Sequence, residues 1–223
     1  MNLADRIYKN FIYNDRYLLI LEGIKNTLTI VILTCILGGL IGIIICSIRM
    51  SKNKVIAFLG KIYIFFFRGT PMLLLLIFSY FVVFANSGLS SITIAIIAFS
   101  IYHSTFAAEI FRSAIISIRD EQLEASVALG YTKKQAFFHI LLPQVVRIIF
   151  PVYRGEIIRQ TSITSVVGYI GVQDLTRATD IIRSQTFDAL FPLACAGIIY
   201  FVIIGVLIFL LNIAEKLINP RKA

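Results

Sequence analysis

Charge is what this chain has least of. Only 15% of its 223 residues are Asp, Glu, Lys or Arg, and 58% are hydrophobic. Soluble domains carry roughly 25% charged residues, so this balance counts against a soluble globular enzyme and excludes intrinsic disorder. Acidic residues are the scarcer sign, 12 against 21 basic, leaving a net charge of +9. A nucleic-acid binder would need those basic residues on a solvated face, and a chain this apolar has little such face. No nucleic-acid partner is expected. An integral membrane protein with basic cytoplasmic loops remains.

Reactive residues are also few. The three cysteines, Cys35, Cys46 and Cys195, lie inside apolar runs with no close pairing, which excludes a metal-binding or disulfide framework and leaves them as small packing residues. The two histidines, His103 and His139, stand alone. No metal centre is expected and no catalytic residue is assigned. A Gly-x-x-x-x-Gly-Lys-Ser/Thr loop is missing, so the chain carries no phosphate cradle of its own. Residues 1–6, Met-Asn-Leu-Ala-Asp-Arg, do not lead a basic region into a short apolar core. The first span is therefore expected to insert without a removable signal peptide.

Long apolar runs are abundant. At ~20 residues per crossing, five spans are expected near 23–48, 56–85, 92–111, 143–170 and 190–213, within a membrane domain 23–218 that follows an N-terminal interfacial segment 1–22. The first contains Gly38 and Gly42, a four-residue spacing that permits close helix approach. The second is interrupted by Arg68-Gly69-Thr70-Pro71. Lys and Arg alternate between loops: Arg49, Lys52, Lys54 and Lys61 after the first span, none in 86–91, then Arg112, Arg119, Lys133, Lys134 and Arg147. Basic loops face the cytosol, which predicts an outside N-terminus and a cytosolic C-terminus, where Lys216, Arg221 and Lys222 lie.

Between spans three and four, residues 120–140 have helix-forming composition with a stop at Gly130 and a second start at Thr132. Two short amphipathic helices are predicted there, too short to cross a bilayer. Glu124-Ala125-Ser126, then Gly130, then Ile140-Leu141-Leu142-Pro143 resembles the EAA loop of ABC importer permeases. Pro143 is expected to open the fourth span, where a missing N–H costs nothing.

The resemblance covers nearly the whole chain and points to the polar amino-acid permeases. Asn26-Thr27, Arg68-Gly69-Thr70-Pro71, Ala108-Glu109-Ile110-Phe111-Arg112 and Leu142-Pro143-Gln144 look like that family's landmarks. Three positions depart: Ser126 where Ala is usual, Glu121-Gln122 where Gly-Gln is common, and Arg159-Gln160-Thr161-Ser162 where Lys-Asp-Thr-Ser is usual. The implied fold is an all-α integral membrane protein of five transmembrane helices with a cytosolic coupling-helix pair, like a type I ABC importer permease. The implied place is the bacterial cytoplasmic membrane. The implied partners are two ATP-binding subunits, a second permease copy or a homologous permease, an extracytoplasmic substrate-binding protein and membrane lipid. ATP and Mg would sit on the partner subunits, with no cofactor in this chain.

Charges inside spans carry the functional reading, because each is costly unless it faces a cavity or a partner. Arg68 and Arg159 are followed by small hydroxyl residues, Thr70 in one case and Thr161, Ser162 and Thr164 in the other. A guanidinium binds a carboxylate through two parallel hydrogen bonds. Either Arg could therefore anchor an amino-acid carboxylate, with Gly69 and Pro71 breaking the second helix beside it. Internal pairing with Glu109 or Glu156 is the structural alternative. Gln160 is neutral where an Asp is usual, which favours a neutral or zwitterionic amino acid; Glu156, four residues earlier on the same helical face, could instead serve a cationic one. Glu109 and Arg112, one turn apart, read as a gate latch or as an interfacial pair. The other readings are a same-fold permease for another small solute and, from a different class, a stand-alone secondary carrier or channel. No matching halves support the carrier, and a carrier needs no docking knob.

Overall fold

The computed structural model describes residues 2–118 and 120–218, with side chains at 120 and 121 excepted. Arg119, Arg221 and Lys222, used above for orientation, lie outside the described residues. The regular elements among the described residues are all helices. After α1 (Leu3–Ile7) and two short turns, α2 (Tyr17–Arg49) runs 33 residues. It is followed by α3 (Lys54–Gly69) and α4 (Met72–Phe78), then α5 (Ser91–Ile116). The coupling segment holds α6 (Asp120–Ala128) and α7 (Lys133–Ala136), and α8 (Leu142–Ile163), α9 (Leu175–Thr186) and α10 (Phe191–Ile218) complete the order.

Among the described residues four helical stretches are long and apolar enough to cross a membrane, and the bent pair Lys54–Gly69 with Met72–Val83 makes a fifth if it is counted as one span. The bend is 98°. Its cause is local: Thr70, forced into extended backbone by the proline that follows, has φ −91° and ψ 128°. Its hydroxyl donates to Phe66 O at 2.8 Å, covering a carbonyl at the end of α3.

The two helices α2 and α5 run side by side in the same direction, and small residues set their distance. A Cβ on Gly38 would lie 2.9 Å from the Ser100 carbonyl oxygen, and one on Gly42 would lie 2.6 Å from Ala107 Cβ. Antiparallel to α5 lies α8, with Val145 near Ala114 and Ile118 at one end and Val167 near Ala95 and Ala98 at the other. One end of the bundle carries α6 and α7. At the opposite end Asn10 donates to Asp188 Oδ2 at 3.3 Å and Arg16 to Gln185 Oε1 at 3.0 Å, so the N-terminal segment packs on the α9–α10 corner. Asp174 caps α9 there, accepting from Arg177 N at 2.9 Å, and burial pushes its carboxyl above the usual range.

The fourth span differs from the sequence expectation. Helix does not restart at Pro143; it is continuous from Lys133 through a π-helical turn, Phe137–Leu141, into α8 and on through a 3₁₀ turn, Thr164–Ile170. The second coupling helix and the span are therefore one rod. Pro143 has no N–H for a carbonyl one turn back, and the wider π turn accommodates that loss. Gln144 Nε2 donates to Ile140 O at 2.9 Å in the same region.

Candidate functional site

The polar centre of the bundle is organised by α5. Phe106 receives two guanidinium groups: Arg159 lies 4.0 Å from its ring centroid and Arg68 4.7 Å. Arg159 also stands 5.7 Å from the Tyr102 ring. Cation–π contacts of this kind contribute about 0.5–2 kcal/mol each, more as water is removed. The helix break brings Arg68 here, because it ends α3 just before the 98° turn.

Glu156, nearly buried, answers only one of the two cations. Arg159 Nε donates to its Oε2 at 2.8 Å, and Arg159 Nη2 pairs with its Oε1. No ion pair with Arg68 occurs among the described residues. A groove of about 420 Å³ runs from Arg68 and Phe106 past Glu109, Ser113 and Ser117 toward the coupling end, walled on the other side by Ile148 and Val152 of α8.

Behind this lies a second layer, in which His103 and Gln160 are fully buried and Tyr153 is half-buried. Tyr153 donates from its hydroxyl to Cys35 O at 2.7 Å and contacts His103 Nε2 at 2.9 Å. Glycine makes the space for it: a Cβ on Gly39 would lie 2.7 Å from the Tyr153 hydroxyl. His103 Nδ1 faces Glu156 Oε1 at 3.5 Å. Gln160 is completely buried, and among the described residues neither of its amide atoms is hydrogen-bonded and Ser100 Oγ and Thr34 Oγ1 have no partner. Unsatisfied polar atoms cost about 1–3 kcal/mol each in an apolar interior, and this interior collects several.

Nearer the coupling end, Glu109 is shared. It accepts from Arg112 Nη2 at 2.7 Å and Nε at 3.0 Å, and from Arg49 Nε at 3.3 Å. The Glu109–Arg112 turn is thereby tied to the end of α2, which makes it a joint between helices rather than an isolated pair.

The coupling segment is built from local signals. Gly130, at φ +91°, ends α6. Tyr131 N donates to Ser126 O at 3.1 Å and Gly130 N to Val127 O at 3.0 Å, the paired bonds of a Schellman cap. Thr132 then opens α7 with a capping box: its hydroxyl accepts from Gln135 N, and Gln135 Oε1 accepts from Thr132 N at 2.9 Å. Glu124 and Ala125 are exposed, Ser126 is buried, and Val127, Leu129, Tyr131 and Phe138 present apolar surface outward. Ile140 and Leu141 pack back against α5 through Ala114 and Ile118.

Of the residues singled out in the sequence, Arg68, Glu156 and Arg159 converge, with Gln160 buried one turn beyond Glu156. Thr161 is buried, but its hydroxyl donates to Ile157 O at 3.1 Å, Thr70 is bonded to Phe66 as described, and Ser162 is exposed. Gly69 has nothing within 4 Å of a Cβ position, so no close approach requires it. Sequence reasoning missed Phe106, His103 and Tyr153. One signal was available: His103 and Glu109 lie six residues apart on a single apolar helix with Phe106 midway, which puts two atypical polar side chains toward one face.

Comparison with known proteins places these features in a family. Residues 27–223 match the family model of the binding-protein-dependent transport system inner membrane component. A chain described as a glutamine transport system permease in Rickettsia felis is 30% identical over 209 residues, covering 92% of this chain and 94% of that one. The arginine transport system permease protein of Bacillus subtilis is 33% identical over 199 residues, covering 88% and 91%. Among solved structures, an amino acid ABC transporter crystallised with histidines superposes with a TM-score of 0.80 at 32% identity, over 89% of this chain and 93% of that one.

Proposed function

This chain belongs to the binding-protein-dependent transport system inner membrane components, and from that premise we propose that it is the permease subunit of an ATP-driven amino-acid importer. The observation that carries the substrate reading is the pair of guanidinium groups on Phe106, of which Glu156 pairs with Arg159 alone. The uncompensated cation favours an anionic ligand group, and the carboxylate of an amino acid fits it. Arg68 is the readier anchor, since Arg159 already holds Glu156. That same pairing argues against Glu156 as the receptor for a cationic side chain. Gln160, neutral and unpartnered, suits a neutral polar or zwitterionic substrate, with Gly69, Thr70, Thr161 and Ser162 at the edges of the site.

One five-span bundle leaves the groove open along its side, so a second copy or a homologous permease would close the path. Two ATP-binding subunits would dock on the exposed apolar knob around Glu124-Ala125-Ser126 and Gly130. An extracytoplasmic binding protein would deliver substrate at the other end. The N-terminal segment and the α9–α10 corner share that end, which supports an outside N-terminus and a cytosolic C-terminus. ATP and Mg would act on the partner chains.

The test is uptake by the reconstituted importer, with competition by glutamine, cystine, arginine and glutamate. Arg68→Ala and Arg159→Ala should each weaken apparent affinity at least tenfold, the loss of one charge-assisted contact. Wild-type affinity in both variants would remove the anchor. Clear preference for arginine would overturn the neutral-substrate assignment.

A further inference from the structure

Tyr153 fixes the tautomer of His103. A hydroxyl has one proton, and Tyr153 gives it to the Cys35 carbonyl. The 2.9 Å contact to His103 therefore requires the imidazole to donate from Nε2. A neutral imidazole then keeps its lone pair on Nδ1. That nitrogen has no hydrogen bond among the described residues and lies 3.5 Å from Glu156 Oε1.

Lone pair against carboxylate is repulsive, and the arrangement holds while Arg159 neutralises Glu156. If Arg159 turns to another carboxylate, Glu156 is left as an unpaired charge in the membrane interior, only 8% exposed. Such a charge is neutralised or paired, not retained.

We propose that His103 Nδ1 and Glu156 Oε1 close on one proton when a substrate carboxylate draws Arg159 away, which makes His103 the positioning residue that frees Arg159. The inference rests on Arg159 being able to meet substrate. Before the exchange, Arg159 pairs with Glu156 and His103 is neutral. Afterwards Arg159 pairs with the substrate carboxylate, and His103 carries the added proton facing Glu156. One proton leaves solvent to form the Nδ1–H bond, the Arg159–Glu156 hydrogen bonds are exchanged for ones to the substrate carboxylate, and no other covalent bond changes.

The titratable and charged groups around the imidazole are Tyr153, Glu156 and Arg159 from α8 and Cys35 from α2, while Arg68 of α3 reaches Phe106 one turn along α5. Packing holds the ring in place. A Cβ on Gly38 would lie 2.9 Å from His103 Cδ2, so the imidazole has little freedom to turn from Glu156. Exchange of the proton, not of the ring's position, is the available response.

The first test needs no substrate. In the assembled importer labelled with ¹⁵N-histidine, the His103 signal is identified by its loss in His103→Gln. Wild type should show Nε2 protonated and Nδ1 bare. Arg159→Gln should protonate Nδ1, and adding Glu156→Gln should strip it again. An unchanged Nδ1 signal in Arg159→Gln overturns the proposal.

The second test is uptake from ~pH 6 to 8, using whichever of glutamine, cystine and arginine the importer transports. Linkage to one proton makes apparent KM rise by up to about tenfold per pH unit, with kcat less affected. His103→Gln should flatten that rise. Tyr153→Phe keeps the ring stacked on Phe111 but frees His103 to carry its proton on Nδ1 while neutral, so it should flatten the profile too. An identical KM profile in wild type and Tyr153→Phe overturns the proposal, whether or not His103→Gln folds. Wild-type affinity in Arg159→Ala overturns the anchor reading of Arg159. Lost affinity with a silent His103 spectrum overturns the proton pair alone.

Discussion

In the coupling segment, each structural device is answered by a residue a few positions away: Gly130 by Val127 and Ser126, Thr132 by Gln135. Around Phe106 the partners come from four helices, with Cys35, Arg68, His103 and Glu156 far apart in the chain. The first region is exposed and capped; the second is buried and under-satisfied. A local motif can be altered without disturbing the bundle, whereas the central site shares its side chains with the packing of α2, α5 and α8. The chemistry a transporter must change during its cycle lies in the second kind of region, where losing one contact leaves another group unpaired.

Three substitutions sharpen or break that contrast. Glu156→Ala should have the largest effect on stability, about 2 kcal/mol. This is below the 3–5 kcal/mol expected for breaking a fully buried pair, because the Arg159 side chain is 34% exposed. Thermal unfolding of the purified importer measures it, and an unchanged midpoint would mean that the central site is as independent as the knob. Gly130→Ala comes next. A side chain at φ +91° costs about 1 kcal/mol or more, confined to the α6–α7 turn. Substrate-stimulated ATP hydrolysis should fall while the unfolding midpoint moves little; a large drop in midpoint would show the knob to be part of the core.

Ser126→Ala should be the mildest. The Ser126 hydroxyl donates to Gln122 O at 2.6 Å on its own helix, a bond that competes with helical pairing rather than supporting it. The change should fall within about 0.5 kcal/mol, with uptake retained. A marked loss of uptake would give the hydroxyl a docking role that its present geometry does not show.

The knob was legible from sequence because caps and turns are encoded by adjacent residues. Gly130 and Thr132 mark its ends by residue type alone. The break at Arg68-Gly69-Thr70-Pro71 was legible for the same reason, since a proline constrains the residue before it. The restart expected at Pro143 was not found. Proline's signal is ambiguous when a π turn can absorb the missing donor, and sequence does not record the width of a turn. At the centre, Arg68, Glu156, Arg159 and Gln160 stood out as polar groups in apolar runs. Phe106 and Tyr153 did not, because aromatic residues are ordinary in membrane helices.

The sequence alone determined the solvent this chain needs, the position of the helix break and the caps that end α6 and open α7. Each depends on apolar run length or on neighbouring residues. Only the tertiary structure decided that two arginines meet on one ring, that Glu156 answers one of them, and that His103 Nδ1 lies 3.5 Å from that carboxylate. Those relations arise because glycines at 38 and 42 let α2 approach α5 at backbone distance, and helix packing fixes which distant side chains share a dry interior.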